Sequence, residues 1–261
     1  MEMQYPANRQ RTLLQKLIRP SQRKKSGYFI AEGRRVVEQI LQNRRVGCEF
    51  VLVPEGEFSE WNRSFSDVVT IMAGEQDLLQ QISSTVSSQQ IYAVCREPEQ
   101  DRIDELAAGT GLIIVSDALQ DPGNAGTIYR TASWFGISGW IHGKGSVDLF
   151  QPKVVRSTAG ATGALPFCTG DIYELLPRFE NQGWQIHLLH LDESAQPVSK
   201  WNPAEKQLLI VSNEAGGPSK ELSDRYPSIV IPSGNQQGVE SLNASVSAGI
   251  AMYKWSEKYT G

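Results

Sequence analysis

The stretch from Leu112 to Gly139, LIIVSDALQDPGNAGTIYRTASWFGISG, constrains the fold more than any other part of the chain. It opens with four apolar residues, Leu112 to Val115, a run short enough to be a fully buried strand. Asp121-Pro122-Gly123-Asn124-Ala125-Gly126 then interrupts the pattern, because proline fixes φ and glycine admits backbone angles that other residues avoid. From Thr127 the spacing turns helical, with Ile128, Ala132 and Phe135 three and four residues apart. A buried strand, a glycine-rich turn and a helix N-terminus make an anion-friendly corner, since the first helical N–H groups have no partner inside the helix. Arg130 follows within that helix.

The chain has 261 residues, enough for one large domain or two ordinary ones with a substantial core. Its 40% hydrophobic and 21% charged residues exclude a disordered chain. No apolar run reaches the roughly eighteen residues that span a membrane, and MEMQYPANRQ lacks the apolar segment of a secretory signal, so a cytoplasmic address is expected. Cys48, Cys95 and Cys168 are scattered, with no C-x-x-C pair and no histidine cluster. The expectation is therefore buried reduced thiols, with neither a disulfide framework nor a metal site. The net charge of −4 conceals an uneven distribution: residues 1–45 carry +8 and residues 46–261 carry −12. That asymmetry reads either as a basic face for a polyanion or as a solvated helix surface.

Taken in order, residues 8–19 place Leu13, Leu14, Leu17 and Ile18 at helical spacing, and Pro20 is expected to end that helix. A strand is expected at 28–30, a helix at 35–43, a strand at 49–54, a strand at 68–72, a helix at 75–82, a loop over 83–90 and a strand at 91–95. Residues 96–102 read as a linker, which separates a small α/β domain (1–100) from a second domain (101–261). The second half alternates strand and helix in the rhythm of a parallel sheet. Its strands are expected at 112–115, 139–142, 185–190, 208–212 and 228–231, and its helices at 127–136, 151–160, 172–182 and 243–257.

Three clusters in the second half carry chemistry. They are Asn124-x-Gly126-x-x-x-Arg130, the strand-to-loop run Leu208 to Ser219, and the run from Ile229 through Ser241-Leu242-Asn243-Ala244-Ser245. Each follows a strand, and strand ends of an open α/β sheet are where ligands bind, so the three are expected to wall one pocket. Neither G-x-G-x-x-G nor G-x-x-x-x-G-K-[ST] is present, which disfavours a dinucleotide enzyme or an NTPase.

Together these clusters resemble the SpoU (TrmH-like) family of RNA ribose 2′-O-methyltransferases of the SPOUT superfamily. Asn124 to Gly136 matches its N-x-G-x-x-x-R-T-A-x-x-F-G motif, Ile231-Pro232 with Ser241 to Ser245 matches its third motif, and Val154 to Ala161 is similar to its R-x-S-x-G-A segment. The match covers about residues 105–257, and the first hundred residues more loosely resemble a ribosomal-protein-like RNA-binding domain. In the second cluster Ser212 and Ala215 stand where the family has glycine.

The resemblance implies an α/β chain whose C-terminal SPOUT-type parallel-sheet domain carries a deep trefoil knot, a feature physics alone would not suggest. It also implies S-adenosylmethionine as cofactor, a structured RNA as substrate (ribosomal favoured, transfer RNA the rival), and a homodimer. The small residues 244–251 permit close backbone approach, either at such an interface or inside the subunit. By the same resemblance Arg130, Asn124, Glu214, Ser241 and Asn243 are the expected catalytic residues. His190, Leu191, Ser212, Asn213, Glu214, Gly216, Ile231, Ser241 and Leu242 are the expected cofactor contacts. Arg23, Lys24, Lys25, Arg34 and Arg156 are the expected RNA contacts.

Several of these residues keep a second reading. Asn124 and Ser241 are also suited to capping helices. Glu214 suits orientation of Arg130 or of a loop amide, and is the best carboxylate candidate for a base. A protonated guanidinium has no acceptor lone pair, so Arg130 reads as a clamp on phosphate and developing alkoxide more readily than as a base. An RNA-binding protein with a vestigial pocket is the alternative function.

Overall fold

The computed structural model describes residues 2–83, 89–234 and 241–259. The chain forms two compact units, Met1–Glu99 with Asp148–Ala164, and Gln100–Val147 with Leu165–Gly261. The expected loop over 83–90 falls partly outside the described residues.

In the first unit α1 (Asn8–Ile18) and α2 (Pro20–Ser26) lead into β1 (Tyr28–Glu32), α3 (Arg34–Asn43), β2 (Cys48–Pro54), α4 (Phe58–Phe65), β3 (Thr70–Gly74), α5 (Gln76–Ile82) and β4 (Tyr92–Arg96). The strand order is β1-β4-β2-β3, with β4 antiparallel to both neighbours and β3 parallel to β2. Pro20 does separate two segments, yet it starts a second helix: Arg19 is extended and Pro20 takes the first helical position, where its missing N–H costs nothing. Leu14 and Leu17 anchor α1 in a core with Phe50, Leu52, Tyr92 and Val94. Each such buried side chain contributes about 1.5–3 kcal/mol. The charged face of α1 is therefore held outward by its apolar one.

The second unit begins with α6 (Ile103–Ala108), β5 (Gly111–Asp117), α7 (Pro122–Trp134) and β6 (Gly139–Gly143). The chain then lends α8 (Pro152–Ser157) to the first unit. There Arg156 pairs with Glu32 at 3.0 Å, Asp148 with Arg23 at 2.9 Å, and Phe150 lies 5.3 Å from the Phe29 ring. Back in the second unit follow β7 (Phe167–Gly170), α9 (Ile172–Glu180), β8 (Gln185–Leu189), β9 (Gln196–Pro197), β10 (Lys206–Ser212), α10 (Lys220–Arg225), β11 (Ser228–Val230) and α11 (Ala244–Tyr259). Among the described residues the strands form one sheet in the order β7-β6-β5-β10-β8-β11-β9, and every pairing is parallel. Leu112 to Val115 in β5 are fully buried, as a strand covered on both faces requires.

The Gly-rich segment after β5 is helix, not turn. Asp121 is the N-cap, its carboxylate accepting from the Asn124 amide at 2.7 Å, and Pro122 takes the first position of α7. The helix thus starts five residues before the apolar periodicity becomes visible. Of the small stretch 244–251, Ala248 and Ala251 are fully buried and serve packing within the subunit.

Candidate functional site

The carboxyl ends of β10, β8 and β11, three neighbours in the sheet, surround a hollow of about 800 Å³. Its lining includes His190, Leu191, Ser212, Asn213, Glu214, Gly216, Ile231, Ser241 and Leu242, which are all nine expected cofactor contacts. Leu189, Gly217, Pro218, Ser233, Ala244 and Ser247 also line it and were not anticipated, although each extends a strand-end run already singled out. The volume falls within the roughly 300–1,000 Å³ of cofactor-sized pockets.

The loop after β10 is closed by its own backbone. Asn213 accepts from the Ala215 amide through its side chain at 2.8 Å and from the Gly217 amide through its carbonyl at 2.9 Å. Gly217 has φ +64, and a Cβ there would come within 2.9 Å of His190 Cε1, so glycine serves both the turn and the room His190 occupies. Nothing lies within 4 Å of where a Gly216 Cβ would stand, which leaves that wall of the hollow bare backbone.

A hydrogen-bonded chain joins the three sequence clusters. Asn124 Nδ2 donates to Glu214 Oε1 at 2.6 Å, and Asn243 Nδ2 donates to Asn124 Oδ1 at 2.8 Å. Asn243 Oδ1 in turn accepts from the Ser245 amide at 2.9 Å, and its carbonyl from Ser247 N at 3.0 Å, so Asn243 caps α11. Two capping readings are thereby corrected. Asp121, one residue before the proline, caps α7 in place of Asn124, and Asn243 caps α11 in place of Ser241, which is exposed on the hollow's lining. Glu214 likewise holds Asn124, not Arg130.

Arg130 is exposed and has no ion pair among the described residues, and it is not part of the lining. Six residues beyond Asn124, it lies about 9 Å along the helix axis and roughly a third of a turn away around it. Four residues further on the same helix face is Trp134, 84% exposed. Tyr253 of α11, 54% exposed, lies 6.2 Å ring to ring from Phe135 at the end of α7.

Asp117, at the end of β5 beside Ser212 in register, is a site neighbour the sequence did not suggest. Burial raises its carboxyl above the usual range, and a hydrogen bond with Ser212 opposes the rise. His142 lies 3.3 Å from Ser116 Oγ and His187 lies 2.9 Å from Gln207 Nε2. Burial pushes His187 below its ordinary value. No group of three potential metal ligands occurs among the described residues.

The expected RNA contacts divide sharply. Arg23 is 4% exposed and held by Asp148, so the polyanion reading fails for it on burial. Arg34 lies within ion-pair distance of Glu38, Glu57 and Glu60 and stacks over Trp61 at 5.4 Å. Arg156 is tied to Glu32. Lys24 and Lys25 are exposed and present their charge outward.

The sequence profile described as the SpoU rRNA Methylase family matches residues 111–253, and that of an MRM3-like substrate binding domain matches residues 9–93. The chain belongs to the SpoU family. This SpoU methylase is 30% identical over 243 residues to a Bacillus subtilis 23S rRNA (guanosine-2′-O)-methyltransferase, covering 91% of this chain and 92% of that one. A TrmH-family protein from Porphyromonas gingivalis superposes with a TM-score of 0.80 at 27% identity, over 96% of this chain and 98% of that one. The SpoU methyltransferase AviRb from Streptomyces viridochromogenes, solved with AdoMet, shares the fold: TM-score 0.81, 23% identity, 98% and 99% coverage. No helix among the described residues is long and apolar enough to cross a membrane.

Proposed function

We propose that this SpoU methylase transfers the methyl group of S-adenosylmethionine to a ribose 2′-hydroxyl of a structured RNA, ribosomal RNA being favoured over transfer RNA. The observation that carries the reading is the chain Asn243–Asn124–Glu214 bridging all three motif clusters beside a cofactor-sized hollow. The Bacillus subtilis relative, named for ribose methylation of ribosomal RNA, supports the reaction class. The hollow fits the cofactor through bare backbone at Gly216 and apolar contact from Ile231 and Leu242, with His190 and Leu191 toward the adenosine. Ser212 and Asn213 would hold its polar parts. When bound, S-adenosylmethionine supplies an electrophilic methyl on a sulfonium, and positioning then provides much of the acceleration.

Arg130 holds the phosphate beside the target ribose and stabilises the oxyanion that develops at O2′. Glu214, the one carboxylate lining the hollow among the described residues, orients Asn124 through Oε1 and is the acceptor available for the hydroxyl proton. Ser241 and Asn243 shape the mouth. Because Arg130 stands outside the lining of its own subunit's hollow, a second copy completes the site. The face bearing Arg130 and the exposed Trp134, with Tyr253 beside it, is the surface that copy covers.

Residues 1–100, with 148–164 packed into the same unit, form the RNA-binding domain, of ribosomal-protein-like fold, and the remainder of 101–261 the catalytic domain. A trefoil knot in the C-terminal domain goes with this reading; residues 235–240 lie outside the described residues. A cytoplasmic location goes with this reading.

Titration calorimetry with S-adenosylmethionine, followed by mapping of labelled riboses in RNA from a strain lacking the gene, tests the reaction. Cofactor binding with labelled 2′-O-methylribose is the expected result. RNA affinity without label would establish the binding-only alternative.

A further inference from the structure

The three cysteines look isolated in the sequence, yet pairing of β2 with β4 brings two of them together. Cys48 and Cys95 are direct partners across these antiparallel strands, and their sulfurs lie 3.0 Å apart. The Arg96 amide donates to the Gly47 carbonyl at 2.8 Å, a bond that joins the residues just outside the pair. Cys48 and Cys95 therefore face each other at a non-hydrogen-bonded position, where Cα atoms approach to about 4.5 Å and side chains are closest. That spacing lies within the ~4.4–6.8 Å a disulfide bridges, and the register shift of β2 against β4 begins only beyond Cys48. Both strands are central in the sheet.

We infer that Cys48 and Cys95 are a modification site, a thiol pair that hydrogen peroxide converts reversibly into a cross-strand disulfide of the first unit. Cys48, the half-buried member, meets the oxidant, whereas Cys95 is buried behind it. The hydrogen bond between the two sulfurs holds Cys48 below the ordinary thiol range, and with burial it pushes Cys95 above it. The Cys48 thiolate attacks one peroxide oxygen, the O–O bond breaks, and the departing hydroxide takes a proton to leave as water. Cys95 sulfur then attacks the sulfenic sulfur and expels hydroxide, which takes the Cys95 proton. Two thiols and one peroxide thus give one disulfide and two waters. Cys168, in the second unit, has no such partner, and burial, with Asp101 adding, pushes its thiol up to about 11.

The test treats the whole purified protein with a modest excess of peroxide, blocks remaining thiols with iodoacetamide, and digests with trypsin without reductant. The expected product links the peptide 46–63 to the peptide 64–96, leaves Cys168 alkylated, and lowers free thiols from three to one. Dithiothreitol restores all three, and the oxidised protein melts several degrees higher because the cross-link closes a long loop of the unfolded chain. Cys168→Ser keeps the linkage, and Cys95→Ser loses it, with the oxidised product on Cys48 then trapped by a sulfenic-acid probe. Separate alkylation of Cys48 and Cys95 in the treated wild type overturns the inference. So does sulfinic acid on Cys48 beside a free Cys95, or a cross-linked dimer in place of the intramolecular link.

Discussion

Asn124 in the first turn of α7 donates its side-chain N–H to the Glu214 carboxylate 90 residues further along, at 2.6 Å, and so ties a helix start to the loop after β10. Both groups are exposed, so water replaces either one cheaply in the folded state. Glu214→Ala should therefore shift stability by no more than about 0.5 kcal/mol. Methyl transfer should fall ten- to a hundredfold in kcat/KM, the equivalent of about 1.5–3 kcal/mol for a hydrogen bond to a charged group. Glu214→Gln separates two roles, since a glutamine carbonyl still accepts from Asn124 but takes no proton. Recovery in the glutamine variant assigns Glu214 to positioning, and activity as low as in the alanine variant assigns it to proton transfer.

Arg130 offers a cleaner separation of chemistry from stability. It is exposed and without an ion pair among the described residues, so Arg130→Ala should leave the melting temperature within a degree or two. Turnover should drop by about two to three orders of magnitude, the loss typical of removing one stabilising group from a developing oxyanion. Cofactor affinity, measured by calorimetry, should stay unchanged because Arg130 is outside the lining of the hollow. Mixing the variant with one whose cofactor loop is disabled tests the second-copy reading. Partial activity in the mixture requires a site assembled from two chains, and none at any ratio sinks it.

What the sequence revealed and what it hid follow from how local each signal is. Strands β5 and β10 were legible because burial on both faces leaves short unbroken apolar runs, and β6, β8 and β11 through shorter apolar stretches set off by polar residues and turns. Strands β7 and β9 were not: Phe167–Gly170 is half polar, and Gln196–Pro197 is two residues long. The spacing puts the start of α7 at Thr127 because Pro and Gly weigh against helix, although Asp121 followed by Pro122 is itself a start signal. The rhythm of strand and helix also gave no hint that Asp148–Ala164 packs in the first unit, since Arg23, Phe29 and Glu32 hold it from far upstream. Nine residues of the hollow's lining were readable from the family resemblance, and the others extend the same strand-end runs. The bond from Asn124 to Glu214, and the meeting of Cys48 with Cys95, exist only once strands are paired.

Glu97 predicts an unusual pH dependence of stability. Burial, with the negative charge of Asp148 adding and Arg23 opposing, raises its carboxyl from 4.5 to about 7. The folded chain therefore keeps a proton that the unfolded chain has released between about pH 4.5 and 7. Stability is lost as pH rises through that window, and the loss is complete above it. The side chain is only half-buried, so solvent screening reduces the size of the effect. Urea midpoints between pH 5 and 8.5 measure it. Glu97→Gln, which mimics the protonated form, should unfold at higher urea than wild type at pH 8 and show a flatter profile. Equal slopes in the two proteins would reject the assignment.

Lys24 and Lys25 carry the last prediction, because α2 exposes them while its neighbour Arg23 is buried against Asp148. A lysine that neutralises a phosphate releases condensed counterions, and its loss flattens the dependence of log K on log salt by about 0.7–0.9. Lys24→Ala with Lys25→Ala should therefore reduce the slope for RNA binding by up to about 1.8 and leave the melting temperature unchanged. Arg34→Ala should behave in the opposite way. It strips a shared cation from Glu38, Glu57 and Glu60 and a stacking partner from Trp61, so the first unit loses stability while the salt slope holds. Nitrocellulose filter binding across a salt series, paired with thermal melts of the same proteins, distinguishes the two patterns. A salt slope that falls in the Arg34 variant and holds in the lysine pair would move the RNA contact from α2 to α3.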